Sequence, residues 1–142
     1  MQIRKLLQED YDYLASTITN GFEDGWNFSM LCDAYKGGNF FGFIALDNDK
    51  PIGYITYTVS MDFADIQSVF VEEDEREKGV ATLLMNAVLE DLEKKVQKTL
   101  LEVREGNLPA INLYKKYGFS NLSVRRKYYP DGENALVMCK EN

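Results

Sequence analysis

The chain has 142 residues, 45% hydrophobic and 27% charged, with a formal charge of −7 and no histidine. That size and make-up suit one globular domain, residues 1–142, able to bury roughly two-thirds of its unfolded surface. Without histidine, zinc chemistry and Ser-His-Asp hydrolysis lose their usual parts, so no metal is expected, and the acidic balance disfavours nonspecific nucleic-acid binding while favouring basic partners.

Residues 1–7 alternate enough for a first strand. Tyr11, Leu14, Ala15 and Ile18 then fall on one helical face, with Asp10 in the capping position and Asn20-Gly21 as the stop. Phe28, Leu31, Cys32 and Tyr35 are spaced for a short second helix ending at Gly37-Gly38. Strands follow at 40–46 and 52–60 around an Asp47-Asn48-Asp49-Lys50-Pro51 turn, and a third at 64–71. After Gly79 comes the strongest helical pattern, with Val80, Leu83, Leu84, Ala87, Val88 and Leu92 on one stripe. A buried strand is expected at 99–103, and a helix with Pro109 near its start and Gly118 at its close. Strands at 123–129 and 135–139 flank a Pro130-Asp131-Gly132 turn. The order β-α-α-β-β-β-α-β-α-β-β implies an α/β fold, a mixed sheet covered on both faces.

Two further features bear on location. Cys32 and Cys139 are far apart, without a C-x-x-C, and read as reduced thiols of a cytosolic protein. Arg4-Lys5 is followed by Leu-Leu-Gln-Glu-Asp rather than a long apolar core, and no apolar run approaches the ~18 residues of a membrane span. A cytoplasmic location without membrane contact is the expectation.

The most informative stretch joins the third strand to the long helix. The apolar run Val69-Phe70-Val71 stops at a charged loop, and Gly79 opens the helix. The first N–H groups of a helix have no partner within it and suit a phosphate or pyrophosphate. Gly79 and Ala81 keep side chains away from that backbone, and Arg76 and Lys78 add positive charge. The spacing is neither G-x-x-x-x-G-K-[ST] nor G-x-G-x-x-G.

Arg76, Gly79 and Ala81 match [QR]-x-x-G-x-[GA], the acyl-CoA pyrophosphate signature of the GNAT acetyltransferase superfamily. Downstream, Leu101-Glu102-Val103-Arg104, Asn107, Ala110-Ile111, Leu113-Tyr114, Gly118-Phe119, Arg126 and Tyr128-Tyr129 resemble N-terminal protein acetyltransferases, the ribosomal-protein-alanine N-acetyltransferase (RimI) family most closely. The match runs from about Ile52 to Lys140. Near the N-terminus only Trp26 corresponds to that family's P-W-[ST] loop, which shapes the substrate end, and here Gly25 and Asn27 flank it.

The resemblance implies a single-domain GNAT-like fold, mostly antiparallel with helices on both faces, and acetyl-CoA as co-substrate. The backbone of Val69, Phe70 and Val71 would hold the pantetheine arm as a pseudo-strand. Glu77, Lys78, Gly79, Val80, Ala81 and Thr82, with Arg76, would carry the pyrophosphate, and Asn107 would touch the cofactor from the next helix. Glu102 corresponds to the general base, acting through water, and Tyr114 to the general acid. Trp26, Tyr128 and Tyr129 would contact the acceptor.

Reference acidities bear on the acceptor. A free α-amine titrates near 8, so about a tenth is neutral at pH 7, whereas a lysine amine near 10.4 costs about 3 kcal/mol more to deprotonate. A phenol near 10 protonating a thiolate near 8.5 is uphill by about 2 kcal/mol, so the site must tune one of them. The bland readings stand beside these. Glu102 is also an ordinary strand-end polar residue, Tyr114 a core side chain, Tyr128-Tyr129 sheet aromatics, and 72–75 and 125–127 solvated stretches. Three functions follow: acetyl transfer to a protein N-terminus such as that of a ribosomal protein, transfer to a small amine such as a polyamine or aminoglycoside, or a silent acyl-CoA-binding domain.

Overall fold

The computed structural model describes residues 1–17, 32–33, 36–38 and 40–142. Its strands are β1 Gln2–Lys5, β2 Phe40–Asp47, β3 Lys50–Ser60, β4 Phe63–Val71, β5 Lys98–Arg104, β6 Ser120–Arg125 and β7 Ala135–Glu141. Its helices include α1 Tyr11–Ser16, α2 Val80–Leu92 and α3 Leu108–Lys116. The strands form one seven-stranded sheet in the order β1-β2-β3-β4-β5-β7-β6. Every neighbouring pair is antiparallel except β4 and β5, which are parallel and joined through α2.

The apolar stripe read from α2 is the centre of the larger core. Val80, Leu84, Met85, Val88 and Leu92 are buried against Ile55, Tyr57, Ala64, Ile66, Leu101, Val103 and Ile111. Period-2 alternation sends the neighbouring side chains of the strands to the other face. There Tyr54 and Phe40 pack with Leu14 of α1, and Phe70 stacks on Tyr54 with ring centres 5.4 Å apart. Helices therefore do cover both faces. Gly42 is required where β2 crosses Leu6: a Cβ there would stand 2.4 Å from the Ile55 carbonyl oxygen and 2.4 Å from Leu6 Cδ1.

Several boundaries differ from the sequence reading, each for a local reason. β1 stops at Lys5 because a 3-10 turn, Gln8–Asp10, follows. Asp10 does occupy the residue before α1, but its carboxylate does not cap that helix. It turns back to accept the Leu7 N–H at 2.8 Å and two hydrogen bonds from Arg4, at 2.8 and 3.0 Å. The strand expected at 123–129 is β6, displaced to Ser120–Arg125, and the chain leaves the sheet before Lys127, whose φ is +52°. The Asn20-Gly21 stop and most of the expected second helix lie outside the described residues.

The Arg4–Asp10 pair gives a stability prediction. Asp10 is only 6% exposed, and burial alone would raise its pKa. The Arg4 hydrogen bonds and the Leu7 N–H reverse that and hold the carboxyl below its ordinary value. A lowered folded-state value means the contribution is complete above the unfolded pKa near 4 and is lost as pH falls through the folded value. Arg4→Ala leaves a buried carboxylate unpaired and is expected to cost about 2–4 kcal/mol at pH 7. Urea denaturation at pH 7 and pH 3 checks this, with the gap from the parent protein narrowing at the lower pH.

Candidate active site

The site begins where the parallel pair opens. β4 and β5 are paired from Phe63↔Lys98 to Ile66↔Leu101 and no further, although β4 continues to Val71 and β5 to Arg104. The cause is in β4. Its register against β3 jumps from Ser68↔Thr56 to Ile66↔Tyr57, so Gln67 is an extra residue, a β-bulge that bends the strand away from β5. β4 stays paired with β3 as far as Val71↔Gly53, and β5 stays paired with β7 along its whole length. The two halves of the sheet splay, and the β5-facing edge of 67–71 has no strand partner.

A cavity of about 190 Å³ fills the gap. One wall is Gln67, Ser68, Val69 and Phe70 of β4, with Tyr54 beneath. Facing them are Leu101, Glu102, Val103 and Arg104 of β5, then Asn107, Ala110 and Tyr114, and finally Tyr129 from the β6–β7 connection. The volume is below the ~300–1,000 Å³ of sites that enclose a whole small molecule. It has room for reacting groups, while a longer ligand must run out along the surface.

Glu102 stands at the open side, its side chain 31% exposed, with the Arg125 Nε 3.6 Å from one carboxylate oxygen. The Tyr128 phenol is raised above its ordinary value by burial and then by the Glu102 carboxylate, with Arg125 opposing. Arg125, on the exposed strand β6, reaches Glu102 from solvent and lies over the Tyr128 ring at 5.6 Å. Tyr128 and Tyr129 meet edge to face at 5.1 Å. Tyr114, on α3, is half-buried and edge-on to Phe119 at 6.1 Å, so it is part of the core and of the cleft wall at once.

Asn107 has two aspects. It lines the cavity, and its Oδ1 accepts the Ala110 N–H at 3.3 Å as the N-cap of α3, with Pro109 in the first turn as the sequence suggests.

Beyond the cleft, the end of β4 leads through a 3-10 turn, Glu73–Glu75, to the N-terminus of α2. Arg76 folds back so that its Nε donates to the Val71 carbonyl at 2.9 Å, which ties the loop to the strand end. Glu77 and Gly79 both have positive φ, +64° and +86°. Gly79 is the residue before α2 and supplies no side-chain cap; a Cβ built there would meet nothing within 4 Å. The N–H groups of Val80, Ala81 and Thr82 therefore have no acceptor within the helix, in an open cradle. The acids before it are not all outward. Glu72 accepts the Tyr13 hydroxyl at 2.7 Å and Glu75 pairs with Lys78 at 3.4 Å, leaving Glu73 and Asp74 exposed.

The sequence pattern of a known family covers most of this arrangement, up to residue 119. The model for the Acetyltransferase (GNAT) family matches residues 1–119. The chain belongs to the GNAT acetyltransferase family. This GNAT domain is 34% identical to an N-alpha-acetyltransferase of Sulfurisphaera tokodaii, over 97% of the chain and 91% of that protein. It is 30% identical to a putative ribosomal protein bS18-alanine N-acetyltransferase of Bacillus subtilis, over 96% of the chain and 92% of that protein. The crystal structure of the ribosomal-protein-S18-alanine N-acetyltransferase from Escherichia coli superposes with a TM-score of 0.88 at 28% identity, covering 99% of this chain and 92% of that one. The protein is an acetyl-CoA-dependent acetyltransferase whose acceptor is an amine.

Within this GNAT domain most residues singled out from sequence fall into two places, while Val71, the last residue of β4, is outside the cavity lining. Val69, Phe70, Glu102, Asn107, Tyr114 and Tyr129 line one cavity. Arg76 to Thr82 form the separate loop and helix start, and Tyr128 lies beside Tyr129 at the cleft mouth. Trp26 lies outside the described residues. Tyr54, Gln67 and Ser68 were not singled out. Their signal was weak, because an alternating strand gives no sign of which residue will sit at a bulge. Among the described residues no cluster of His, Cys, Asp or Glu is arranged to hold a metal ion, and no helix is long and apolar enough to cross a membrane.

Proposed function

We propose that this GNAT domain transfers an acetyl group from acetyl-CoA to the N-terminal α-amine of a protein, with a ribosomal protein as the preferred acceptor class. One observation carries the reading: strand pairing ends at Ile66↔Leu101, which sets the unpaired edge of β4 opposite Glu102 and Tyr114 across a single cavity.

Acetyl-CoA supplies an acetyl group activated as a thioester. The open edge of β4 suits an extended amide-bearing arm, and the cradle before α2 suits a pyrophosphate. Val69 and Val71 give backbone amides to the arm, one of them polarising the thioester carbonyl. Preorganised donors aimed at developing negative charge are usually the largest catalytic term. Arg76 and the amides of 77–82 hold the pyrophosphate, with Asn107 contacting the arm from α3.

Glu102 takes the proton of the incoming ammonium through water. Its exposed position beside the acceptor entrance supports that role, because a carboxylate needs access to both water and amine. The α-amine, titrating near 8, asks little of such a base; a lysine asks about 3 kcal/mol more. Tyr114 donates its hydroxyl proton to the departing sulfur. Tyr114→Phe keeps the ring against Phe119 and is expected to lower kcat about 100-fold with little change in acetyl-CoA KM, as steady-state kinetics would read. Tyr128 and Tyr129 wall the acceptor side, and the net charge of −7 favours a basic protein partner.

The test is thiol release from acetyl-CoA with three acceptors: a peptide copying a ribosomal-protein N-terminus, the same peptide blocked at its α-amine but carrying lysine, and spermidine. Turnover with the free N-terminus alone is expected. Turnover with spermidine alone would replace this reading with small-amine acetylation.

A further inference from the structure

A side chain at the end of β5 reaches into the hairpin that carries Tyr128 and Tyr129. Arg104, the last residue of that strand, donates from one guanidinium nitrogen to Asp131 Oδ2 and to Glu133 Oε1, each at 2.9 Å. Its Cζ lies 4.2 Å from the centre of the Tyr129 ring. The other Glu133 oxygen accepts the Gly106 N–H at 2.9 Å, and a Cβ on Gly106 would stand 2.7 Å from it, so glycine lets the backbone approach. Within the turn, Tyr129 N–H donates to the Glu133 carbonyl at 3.2 Å and Gly132 N–H to the Tyr129 carbonyl at 2.8 Å.

We propose that Arg104 is a positioning residue that fixes the Tyr128–Tyr129 wall beside Glu102, while Glu133 ties that wall to the turn from which α3 presents Asn107 and Tyr114. The inference rests on the acceptor-side role given above to the two tyrosines.

An exposed ion pair alone would carry little weight. Here the Arg104 side chain is only 25% exposed and it meets two carboxylates and one ring face together. A planar guanidinium can do that, whereas a lysine ammonium, with donors enough for both acids, cannot lie flat against the ring. Without Arg104, Asp131 and Glu133 lose their shared guanidinium and the Tyr129 ring loses the cation over its face. The backbone bonds inside the turn remain. The hairpin should therefore persist but lose its fixed place, which affects the acceptor more than the fold.

The experiment compares the full chain with Arg104→Gln and Arg104→Lys by hydrogen exchange and by KM for each substrate. In Arg104→Gln, exchange across residues 126–134 should rise at least about tenfold while the amides of α2 are unchanged. The acceptor KM should rise about tenfold with acetyl-CoA KM within about twofold, and Arg104→Lys should recover only part of the loss. Unchanged exchange across 126–134 would overturn the proposal, as would a parallel rise in both KM values or full recovery with lysine. The exchange readout needs no turnover, so it judges Arg104 even if the parent protein ignores a free N-terminus and the acceptor assignment fails.

Discussion

Glu102→Gln is expected to lower kcat by about 10²- to 10⁴-fold and to leave the Kd for acetyl-CoA within about twofold. The substitution keeps the shape of the side chain and removes its capacity to hold a proton at neutral pH. The ion pair it breaks, with an Arg125 side chain that is 60% exposed, is of the kind that contributes little to stability, so melting should barely move. A second feature distinguishes a lost base from a disturbed site. The residual rate of the variant should climb with pH through the acceptor's own titration, near 8 for an α-amine, because hydroxide and solvent then do what Glu102 did. Steady-state kinetics between pH 6 and 9, with calorimetry for acetyl-CoA, read both effects. Full activity in Glu102→Gln would remove this residue from the mechanism.

Gly79→Asp is expected to raise acetyl-CoA KM about 100-fold while the protein stays folded. Space is not the difficulty, since nothing lies within 4 Å of a Cβ at this position. The backbone has φ +86°, which costs a non-glycine residue about 1–2 kcal/mol, least for aspartate and asparagine. The large effect is electrostatic. An aspartate carboxylate would lie beside the N–H groups of Val80, Ala81 and Thr82, satisfying them and repelling a pyrophosphate. Gly79→Asn is the control, with the same shape and backbone strain but no charge, and it should raise KM only a few-fold. Equal effects from the two variants would make geometry rather than charge the determinant.

Much of this architecture was legible in the sequence because it rests on periodicity and punctuation. The stripe from Val80 to Leu92, opened by Gly79, gave α2 and the cradle before it, and Pro109 and Gly118 bracketed α3. The LEVR run placed Glu102 on a strand end, where it indeed stands in β5. Tertiary facts were not legible. Gln67 is unremarkable in an apolar-polar alternation, yet as the bulge residue it bends β4 from β5 and makes the cavity. Asp10 looked like a helix cap, and the competing partner that won, Arg4, sits on a strand whose position no local pattern reveals. Arg125 read as a solvated strand charge and Arg104 only as part of the LEVR run, because their carboxylate partners lie 23 to 29 residues away in sequence.

On the proposed mechanism one cavity joins the thioester to an N-terminal α-amine. A bisubstrate compound tests it most directly: coenzyme A joined through an acetyl bridge to the α-nitrogen of a peptide, compared by calorimetry with the same peptide joined through a lysine ε-nitrogen. The α-linked compound should bind at least about 100-fold more tightly than the ε-linked one, and Glu102→Gln should leave that ratio largely intact because it removes chemistry rather than fit. Equal binding of the two, or tighter binding of a spermidine conjugate, would contradict the account.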